Sequence, residues 1–354
     1  MINPFNVEQQ NTGTYKETES TVYTNKTGIQ AYLADKLIEL NESSYGGAHE
    51  ATTISASMFS KSIKQIILHL NRAENFYKTT VDVSDLIKSV QGSILHEAYL
   101  GTEPSRQFIT IDGYTISGGA DRITYGPNDT PLLKSDDLSI LDGQTNIKLR
   151  DIKTTSTHVV AKLKAEMQMH KLGTPLADMK VHTPVLFKYV IQQSIYNVLY
   201  GLNLTTATLD VICMDWTQAN RSTIGEMLQP IDIPLATPAD TISFITDIVD
   251  KVTKYRKSNY LPDCTPTELG GKPTPVFKLV KDPSKPRAVP KSGQFRSRTE
   301  AAMAQVNFPG TVIYDATKPN TPFLCTAYCE FNCATDANGV SVCKQGDSIT
   351  MQQG

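Results

Sequence analysis

The sequence predicts an α/β fold whose core is flanked by helices. One observation is the order of the patterned segments: helix, three strands, helix, strand. Another is composition, because 354 residues with 40% hydrophobic and 20% charged side chains suffice for one core and a second small module. The texture changes to Pro, Gly, Lys and Cys after residue 260. We therefore divide the chain into a polar arm (1–50), a core (51–260) and a basic, cysteine-rich C-terminal module (261–354).

The first predicted core element is a helix whose apolar residues recur at helical spacing from Val83 onward, with Ser84 placed to cap it. A hairpin follows it. Asp112–Gly113 is a dipeptide that strongly favours a tight turn, and short apolar runs lie on either side of it. A second strand pair is expected to close around Asp142–Gly143.

The remaining predicted elements alternate between strand and helix. They are a strand at 146–154, helices at 159–172 and 184–202, a strand at 206–216 and a helix at 239–257. The polar arm is expected to be loosely ordered or to pack as a peripheral helix, without chemistry of its own.

A carboxylate and an ammonium group stand together on the predicted strand at 146–154. Side chains alternate between the faces of a strand, so Asp151 and Lys153 project to one side. A carboxylate that binds a hard divalent cation, beside a lysine that orients or deprotonates water, suits phosphodiester hydrolysis. A second carboxylate is available at Asp121, where Gly118 and Gly119 permit a bend or a close backbone approach. Alone, an Asp-x-Lys pair is more typical of a surface ion pair.

Two pairs at helical spacing add to these charges. Gly92 and His96 are one turn apart and share a helix face. Glycine inside a helix costs about 1 kcal/mol relative to alanine, which indicates a close approach to that face. Gln192 and Tyr196 are also four residues apart. In isolation the histidine favours an ordinary structural role, and the second pair favours a helix surface.

In chain order, these pieces read G-x-x-x-H, GGAD, D-I-K-T and Q-x-x-x-Y, and the ordered set resembles the RecB-type branch of the PD-(D/E)XK nucleases. The flanking strings DVSDLIKSVQGSILHE, IQQSIYNVLYG, VICMDW and LPDCTPTELGG extend the resemblance to bacteriophage-encoded exonucleases. It spans residue 52 to the terminal cysteines. The resemblance implies a restriction-endonuclease-like core of a mixed central sheet flanked by helices, with a small cysteine-containing C-terminal module.

The resemblance also implies roles for single residues. Asp121 and Asp151 would bind Mg²⁺ or Mn²⁺, with the carbonyl of Ile152 completing the sphere. His96 would be a further ligand or a water-mediated neighbour. Lys153 would position the attacking water.

The same resemblance makes Gln192 a residue that orients catalytic groups or contacts the DNA backbone, with Tyr196 packed beside it at the DNA. One departure concerns the helix with the histidine. Many RecB-type motifs place a glutamate four residues after the histidine, whereas this chain has Leu100 there. Glu97 is the nearest acidic substitute and lies on a different helical face, so the number of protein ligands stays open.

The segment between Lys272 and Arg298 is strongly basic, with Asp282 as its one acidic residue. A phosphate-contacting surface and a solvated basic loop are equally good interpretations. The candidate DNA-binding residues in it are Lys281, Lys285, Arg287 and Arg296.

The cysteines of the C-terminal module follow the pattern C-x₃-C-x₃-C-x₉-C in LCTAYCEFNCATDANGVSVC. Four thiolates would hold Zn²⁺ or a [4Fe–4S] cluster, and unligated thiols are the alternative. Similar helicase-associated and CRISPR-associated nucleases carry an iron–sulphur cluster, but their upstream cysteine precedes the histidine motif, where this chain has none. The fourth ligand would then be Cys264 or Cys343. We favour the set Cys264, Cys325, Cys329 and Cys333.

These expectations favour a metal-dependent deoxyribonuclease, a phage RecB-like exonuclease acting on linear DNA in recombination, replication or host DNA degradation. A single-strand annealing or recombination protein would be its partner. A structure-selective endonuclease would use the same site. A non-catalytic DNA-binding protein would need neither the carboxylates nor Lys153, and a phage structural protein would not explain the motif order.

Charge and hydropathy bear on the partners and the cellular compartment expected for the protein. A formal net charge of −2 gives no general attraction to nucleic acid, so any attraction must come from local clusters of Lys and Arg. No secretion signal or membrane-length apolar run stands in the sequence. We therefore expect a cytoplasmic protein, in the host cytoplasm if phage-encoded, without a membrane partner.

Overall fold

The computed structural model describes residues 14–18, 21–45, 50–72, 77–100, 103–265, 268, 276–284, 287–289, 292–295, 297–316, 329, 331 and 334–343, apart from the side chains of residues 43–45, 88 and 96–100. These residues fall into two compact units. The first lies within Met1–Pro262 and Ala334–Val342, and the second within Asp263–Cys333 and Cys343–Gly354.

The helices and strands of the first unit follow in chain order. The strands are β1 (Thr14–Glu17), β2 (Thr21–Thr24), β3 (Thr53–Ser55), β4 (Thr79–Asp82), β5 (Gln107–Ile111), β6 (Tyr114–Gly118), β7 (Arg122–Tyr125), β8 (Thr130–Pro131), β9 (Lys148–Thr155), β10 (Thr206–Cys213) and β11 (Leu228–Pro234). The helices are α1 (Ala31–Tyr45), α2 (Ile63–Asn71), α3 (Val83–Leu100), α4 (Thr157–Met169), α5 (Leu176–His182), α6 (Pro184–Leu199), α7 (Arg221–Ile224) and α8 (Pro238–Lys257). The second unit contains β12 (Phe277–Val280), α9 (Arg298–Gln305) and β13 (Val312–Asp315), with the two strands antiparallel.

The main sheet of the first unit is mixed, with the order β11-β10-β9-β7-β8. β9 and β10 are parallel and are connected through the helices α4 to α6, whereas the other neighbours are antiparallel. The chain therefore has the predicted α/β class, with mixed sheets and flanking helices.

A second sheet has the order β3-β6-β5. Its β5–β6 hairpin turns at Asp112 (φ 48°) and Gly113 (φ 83°), as predicted, because both turn residues adopt positive φ. The chain changes sheets between Gly118, where β6 ends, and Arg122, where β7 begins. The segment with Asp121 is thus the link between two sheets.

Two local predictions were wrong. No strand pair closes around Asp142–Gly143 in the described chain, since β8 pairs with β7 and Asp142 ends a 3₁₀ turn at Leu138–Leu141. Ser84 does not cap α3. Asp82 does so instead, because its Oδ1 accepts hydrogen bonds from the Ser84 N–H (3.1 Å) and from Ser84 Oγ (2.6 Å).

The N-terminal arm contributes more than the peripheral helix that its composition suggested. β1, β2 and β4 form a three-stranded sheet, and α1 packs on α3. Tyr23, Ile38, Val83 and Val90 lie in the small core between them. This apolar contact holds the arm against the helix that carries Gly92.

Helix α6 crosses the main core and is buried over most of its length. Its start is fixed from α4, because Glu166, a buried residue, accepts hydrogen bonds from the N–H groups of Val185 and Leu186, each 2.8 Å long. A carboxylate at a helix N-terminus satisfies unpaired donors and complements the helix dipole. Glu166 therefore sets the position of α6, and with it Gln192 and Tyr196. Of the helices in the described chain, none has the length and apolar character needed to cross a bilayer.

Candidate active site

Asp121 extends the sheet beyond the end of β7. The last β7–β9 pair joins Arg122 to Arg150, and Asp121 Oδ2 then accepts a hydrogen bond of 2.8 Å from the Ile152 N–H. The N–H and C=O of one strand residue point to the same side of the strand. The carbonyl of Ile152 is therefore directed to the edge of β9 where the Asp121 carboxylate lies.

Asp151 and Lys153 form an ion pair on the next positions of β9. Lys153 Nζ lies 2.6 Å from Asp151 Oδ2, with the Asp151 side chain fully buried and the Lys153 side chain 24% exposed. Neither carboxylate oxygen of Asp151 has a hydrogen-bond partner of acceptable geometry in the described part of the chain. Contact with Lys153 is thus the main compensation for burying this carboxylate.

The burial and the crowding of charge change both pKa values. The pKa of Asp151 is raised to about 7: burial is the largest cause, Lys153 opposes the rise, and the Asp121 carboxylate adds to it. Burial acts to lower the pKa of Lys153, but Asp151 and Asp121 outweigh it and leave that pKa above its ordinary value. Lys153 is consequently held protonated.

Helix α6 covers the face of β9 that carries Asp151 and Lys153. Gln192 Nε2 donates a hydrogen bond of 2.7 Å to the hydroxyl of Tyr196. Burial, followed by the charge of Asp151, raises the pKa of Tyr196 to about 12. Tyr196 is only 6% exposed, which leaves little surface for DNA, so its predicted DNA contact stays a prediction.

The same helix fixes the link that carries Asp121. A Cβ on Gly118 would lie 2.7 Å from Leu199 and 2.8 Å from the Tyr196 ring, so only glycine fits there. The hydroxyl of Tyr200 accepts a hydrogen bond of 3.2 Å from the Ala120 N–H and donates one of 2.8 Å to the Ser105 carbonyl. Tyr200 therefore connects the link between β6 and β7 to the backbone just before β5.

Gly92 has the close neighbour that its place in a helix indicated. A Cβ there would lie 3.2 Å from Thr154 Oγ1. Leu95 of the same helix packs on Ile152 and on Ile212 of β10. Because side chains alternate along β9, α3 lies on the face opposite Asp151 and Lys153. The side chain of His96 lies outside the described residues, and so do those of Glu97 and Leu100.

Mg²⁺ or Mn²⁺ would find oxygen donors in the carboxylates of Asp121 and Asp151 and in the carbonyl of Ile152. Hard divalent cations prefer such oxygens, and a buried carboxylate whose hydrogen bonding is incomplete fits a cation site. In the described part of the chain, no three His, Cys, Asp or Glu residues gather as a metal-binding group. The donor set there consists of two carboxylates and one backbone oxygen.

The predicted residues of the C-terminal module are only partly described. Lys281 and Arg287 are exposed, whereas Lys285 and Arg296 lie outside the described residues. Cys264 and Cys329 are half-buried and Cys343 is buried, while Cys325 and Cys333 lie outside the described residues. The proposed four-cysteine set therefore stays a prediction.

Lys188 on α6 is a candidate that the sequence reasoning missed. Its ammonium lies 5.8 Å from the centre of the Tyr189 ring, and burial, then the charges of Lys61 and Lys153, lower its pKa. Lys188, Gln192 and Tyr196 follow at steps of four residues, so they share a helix face. That spacing could have identified Lys188.

Comparisons with known proteins add little to this geometry. No family model and no curated protein matches the chain. The chain is similar to a solved structure described as "Crystal structure of SSO0001", at 16% identity and a TM-score of 0.36, over 63% of this chain and 86% of that one. Similarity at this level defines neither a fold family nor a function.

Proposed function

We propose that the protein is a divalent-metal-dependent DNA nuclease, with a restriction-endonuclease-like core and its active site at Asp121, Asp151 and Lys153. One observation supports the proposal above the others. A fully buried carboxylate, with no hydrogen bond of good geometry among the described residues, lies on the same strand as Lys153, 2.6 Å from its ammonium, and next to the residue that Asp121 binds. A purely structural ion pair gains nothing from such incomplete hydrogen bonding.

Each residue would have its own task. Asp121 and Asp151, with the Ile152 carbonyl, would hold Mg²⁺ or Mn²⁺. The bound ion would supply Lewis-acid neutralisation of the charge that develops on the phosphate. Lys153 is held protonated by Asp151, so it would orient the attacking water or a phosphate oxygen by donating hydrogen bonds rather than by removing a proton. Gln192 and Tyr196 would keep the Asp121 and Asp151 region in place from α6.

The substrate would be linear DNA, and the activity that of an exonuclease in recombination, replication or host DNA degradation. A single-strand annealing or recombination protein would be the partner of such an enzyme. The C-terminal basic residues Lys281 and Arg287 would contact phosphates, and the cysteines would hold Zn²⁺ or a [4Fe–4S] cluster. Anaerobically purified protein with a brown colour and broad visible absorption supports the cluster, whereas stoichiometric zinc without colour contradicts it.

The test compares cleavage of 3′-labelled linear DNA and closed circular DNA in Mg²⁺, Mn²⁺ or EDTA. The variants are Asp151→Ala and Lys153→Ala, with Asp142→Ala, an exposed loop carboxylate, as the control. We expect metal-dependent loss of linear DNA that each site variant lowers by at least about a thousandfold, equivalent to about 4 kcal/mol of transition-state stabilisation. The control should cleave like the unchanged protein.

The other outcomes separate the alternatives. Cleavage of the circle with the same sensitivity to Asp151→Ala would indicate an endonuclease. Unchanged cleavage in both site variants would mean that the active site lies elsewhere. A folded, metal-loaded protein that binds DNA and cleaves neither substrate would be a DNA-binding protein, and the proposal would fail.

A further inference from the structure

A cavity of about 480 Å³ lies on the face of the main sheet opposite Asp151 and Lys153. Side chains from four neighbouring strands and one loop form it, and Ile152 of β9 is among them. It is lined by Arg122, Thr124, Asp129, Arg150, Ile152, Asp210, Leu228 and Pro230. Its size corresponds to that of small-molecule sites.

Two polar groups in this cavity lack partners. Nε of Arg122 and Oγ1 of Thr124 are buried, and neither has a hydrogen-bond partner in the described part of the chain. Thr124 is only 2% exposed. A buried polar atom without a hydrogen bond is costly, commonly by about 1–3 kcal/mol. Both donors lie on β7, two residues apart, so they project to the same face and into one cavity.

The charges of the cavity leave a positive excess at Arg122. Asp210 is bound by Arg150, through Nε (2.8 Å) and a second guanidinium nitrogen (2.5 Å). Asp129 is bound by Lys148 through both of its oxygens, at 2.7 and 2.9 Å. Both carboxylates of the cavity are therefore neutralised by other cations. The Arg122 guanidinium is the cationic group left to attract an anion.

We propose that Arg122 and Thr124 form a phosphate-binding subsite for a phosphate group of the DNA substrate. This inference rests on the proposed nuclease function. A guanidinium beside a hydroxyl is suited to phosphate, because planar N–H donors and an O–H donor can engage several oxygens of one group. Arg122 follows Asp121 directly in the chain, and Ile152 lies both in the cavity and between Asp151 and Lys153. Because side chains alternate along a strand, the subsite lies across the sheet from Asp151 and Lys153, and it would hold a phosphate of the DNA other than the one that is cleaved.

The experiment measures DNA binding by fluorescence anisotropy in EDTA, which prevents cleavage, over a range of salt concentrations. The full chain is compared with Arg122→Gln and Thr124→Val. Arg221→Gln is the control, because Arg221 is an exposed arginine of the same unit that pairs with Glu226, so the loss of charge is equal. The ligands are linear duplexes with a 5′-phosphate or a 5′-hydroxyl end, and a closed circle. Inorganic phosphate, tested by thermal shift against chloride of equal ionic strength, probes the anion alone.

We expect Arg122→Gln to weaken DNA binding about tenfold and to reduce the slope of log K against log salt by about 0.9, the value of one lost phosphate contact. Thr124→Val should weaken binding by about threefold without changing the slope. Phosphate should raise the melting temperature of the unchanged chain and not that of Arg122→Gln. A loss of affinity confined to 5′-phosphorylated ends would identify a terminal phosphate as the ligand, and an equal loss on the circle an internal one.

Equal affinity and equal salt slope for Arg122→Gln and Arg221→Gln would overturn the subsite. Thr124→Val, which keeps the size of the side chain, serves the same purpose if Arg122→Gln does not fold. The nuclease proposal fails separately. Protein that binds DNA through Arg122 but does not cleave it in Mg²⁺ supports the subsite and contradicts the nuclease.

Discussion

Strand β9 carries ion pairs on both of its faces, and the two pairs differ in how completely they are satisfied. On one face, Arg150 and Asp210 meet in a two-fold hydrogen-bonded contact, with both side chains partly exposed. On the other, Asp151 is fully buried and meets Lys153 at 2.6 Å, and neither of its oxygens has a hydrogen bond of good geometry to any described residue. Arg150 and Asp210 satisfy each other's charge and hydrogen bonds, whereas the Asp151 carboxylate is left with too few partners among the described residues. A cation or a substrate could supply the missing ones.

This difference separates a structural charge pair from a functional one better than the residue types do. The sequence alone does not indicate the Arg150–Asp210 pair, whose residues lie 60 positions apart, and an Asp-x-Lys pattern alone is more typical of a surface ion pair. The distinguishing property is the unsatisfied carboxylate, which lowers stability in the absence of a ligand. Removing the charge of Asp151 should therefore lower activity and raise stability, whereas removing that of Asp210 should lower stability and leave the cleavage rate unchanged.

The largest effect is expected for Asp151→Asn. Cleavage should fall at least about a thousandfold. Stability should change in the other direction: the native pKa of Asp151 is about 7, and the unfolded value is about 3.9. Between these values the native state binds more protons, so the free energy of unfolding of the metal-free protein falls as pH rises from about 4 to about 7. Asp151→Asn lacks the titrating carboxylate, so this variant should avoid up to about 4 kcal/mol of that fall in the free energy of unfolding.

Urea unfolding in EDTA at pH 5 and pH 8 measures this effect. Asp151→Asn should be more stable than the unchanged protein at pH 8, and its stability should depend less on pH. Mg²⁺ should stabilise the unchanged protein and not the variant. Identical pH dependence in the two proteins would show that Asp151 is not the strained group, and the contrast between the faces would lose its basis.

A smaller but still large effect is expected for Gly118→Ala. The new methyl group would lie 2.7–2.8 Å from Leu199 and Tyr196, and overpacking of this kind costs about 1–3 kcal/mol. Because Gly118 begins the link to Asp121, cleavage should fall together with the melting temperature. Gly119→Ala is the matched control, since its methyl group would meet only Arg106, at 3.9 Å. Equal melting temperatures for the two variants would mean that α6 does not confine this link.

Asp210→Asn tests the satisfied pair. It leaves Arg150 without its charged partner, which should lower the free energy of unfolding by about 1–2 kcal/mol, while cleavage at saturating DNA stays unchanged. DNA affinity should rise several-fold, because the cavity gains a positive charge. Asp232→Asn, on the neighbouring strand β11, changes the net charge equally and serves as control. A loss of cleavage at saturating DNA in Asp210→Asn would give the Arg150–Asp210 pair a catalytic role, and the comparison would fail.

The smallest effect is expected for Tyr200→Phe. Loss of the hydroxyl removes the bonds to Ala120 and Ser105, which should lower stability by about 1 kcal/mol. The Mg²⁺ concentration for half-maximal cleavage should rise several-fold, with little change in the rate at saturating Mg²⁺, because Asp121 is less well held. Tyr260→Phe removes an exposed hydroxyl as the control. A Mg²⁺ titration that matches the control would exclude a positioning role for Tyr200.

Local sequence rules were sufficient for the parts of the site that lie on one element. Strand alternation places Asp151 and Lys153 on one face, and the order of elements predicts the α/β class. They were insufficient where distant segments meet. The contact of Gly118 with Tyr196, and the cavity behind Arg122, depend on the register that pairs Arg122 with Arg150 and on how α6 crosses the sheet.

One of the missed strands, β11, and the strand pair wrongly predicted around Asp142–Gly143 have equally physical reasons. β11 contains Pro230 and Pro234, which argue against a strand in sequence, yet a proline is tolerated on an edge strand, and β11 is at the end of its sheet. Asp142–Gly143 has the residues of a hairpin turn, and Gly143 adopts positive φ, but the preceding segment forms a 3₁₀ turn rather than a strand. The same dipeptide chemistry serves both kinds of bend.

The bridge between Lys78 and Thr335 has a consequence for the order in which the chain is completed. Each residue donates a backbone hydrogen bond to the other, at 2.8 and 2.9 Å, although nearly the whole core and most of the second unit separate them in sequence. Lys78 directly precedes β4, so a ribosome must synthesise the chain past residue 335 before this end of the N-terminal sheet finds its last partner. Residues up to Pro262 can begin to fold during translation, but the first unit closes only after residue 335 has been synthesised. A nascent chain halted before residue 334 would therefore expose the backbone of Lys78, and limited proteolysis of such stalled chains should cleave there first.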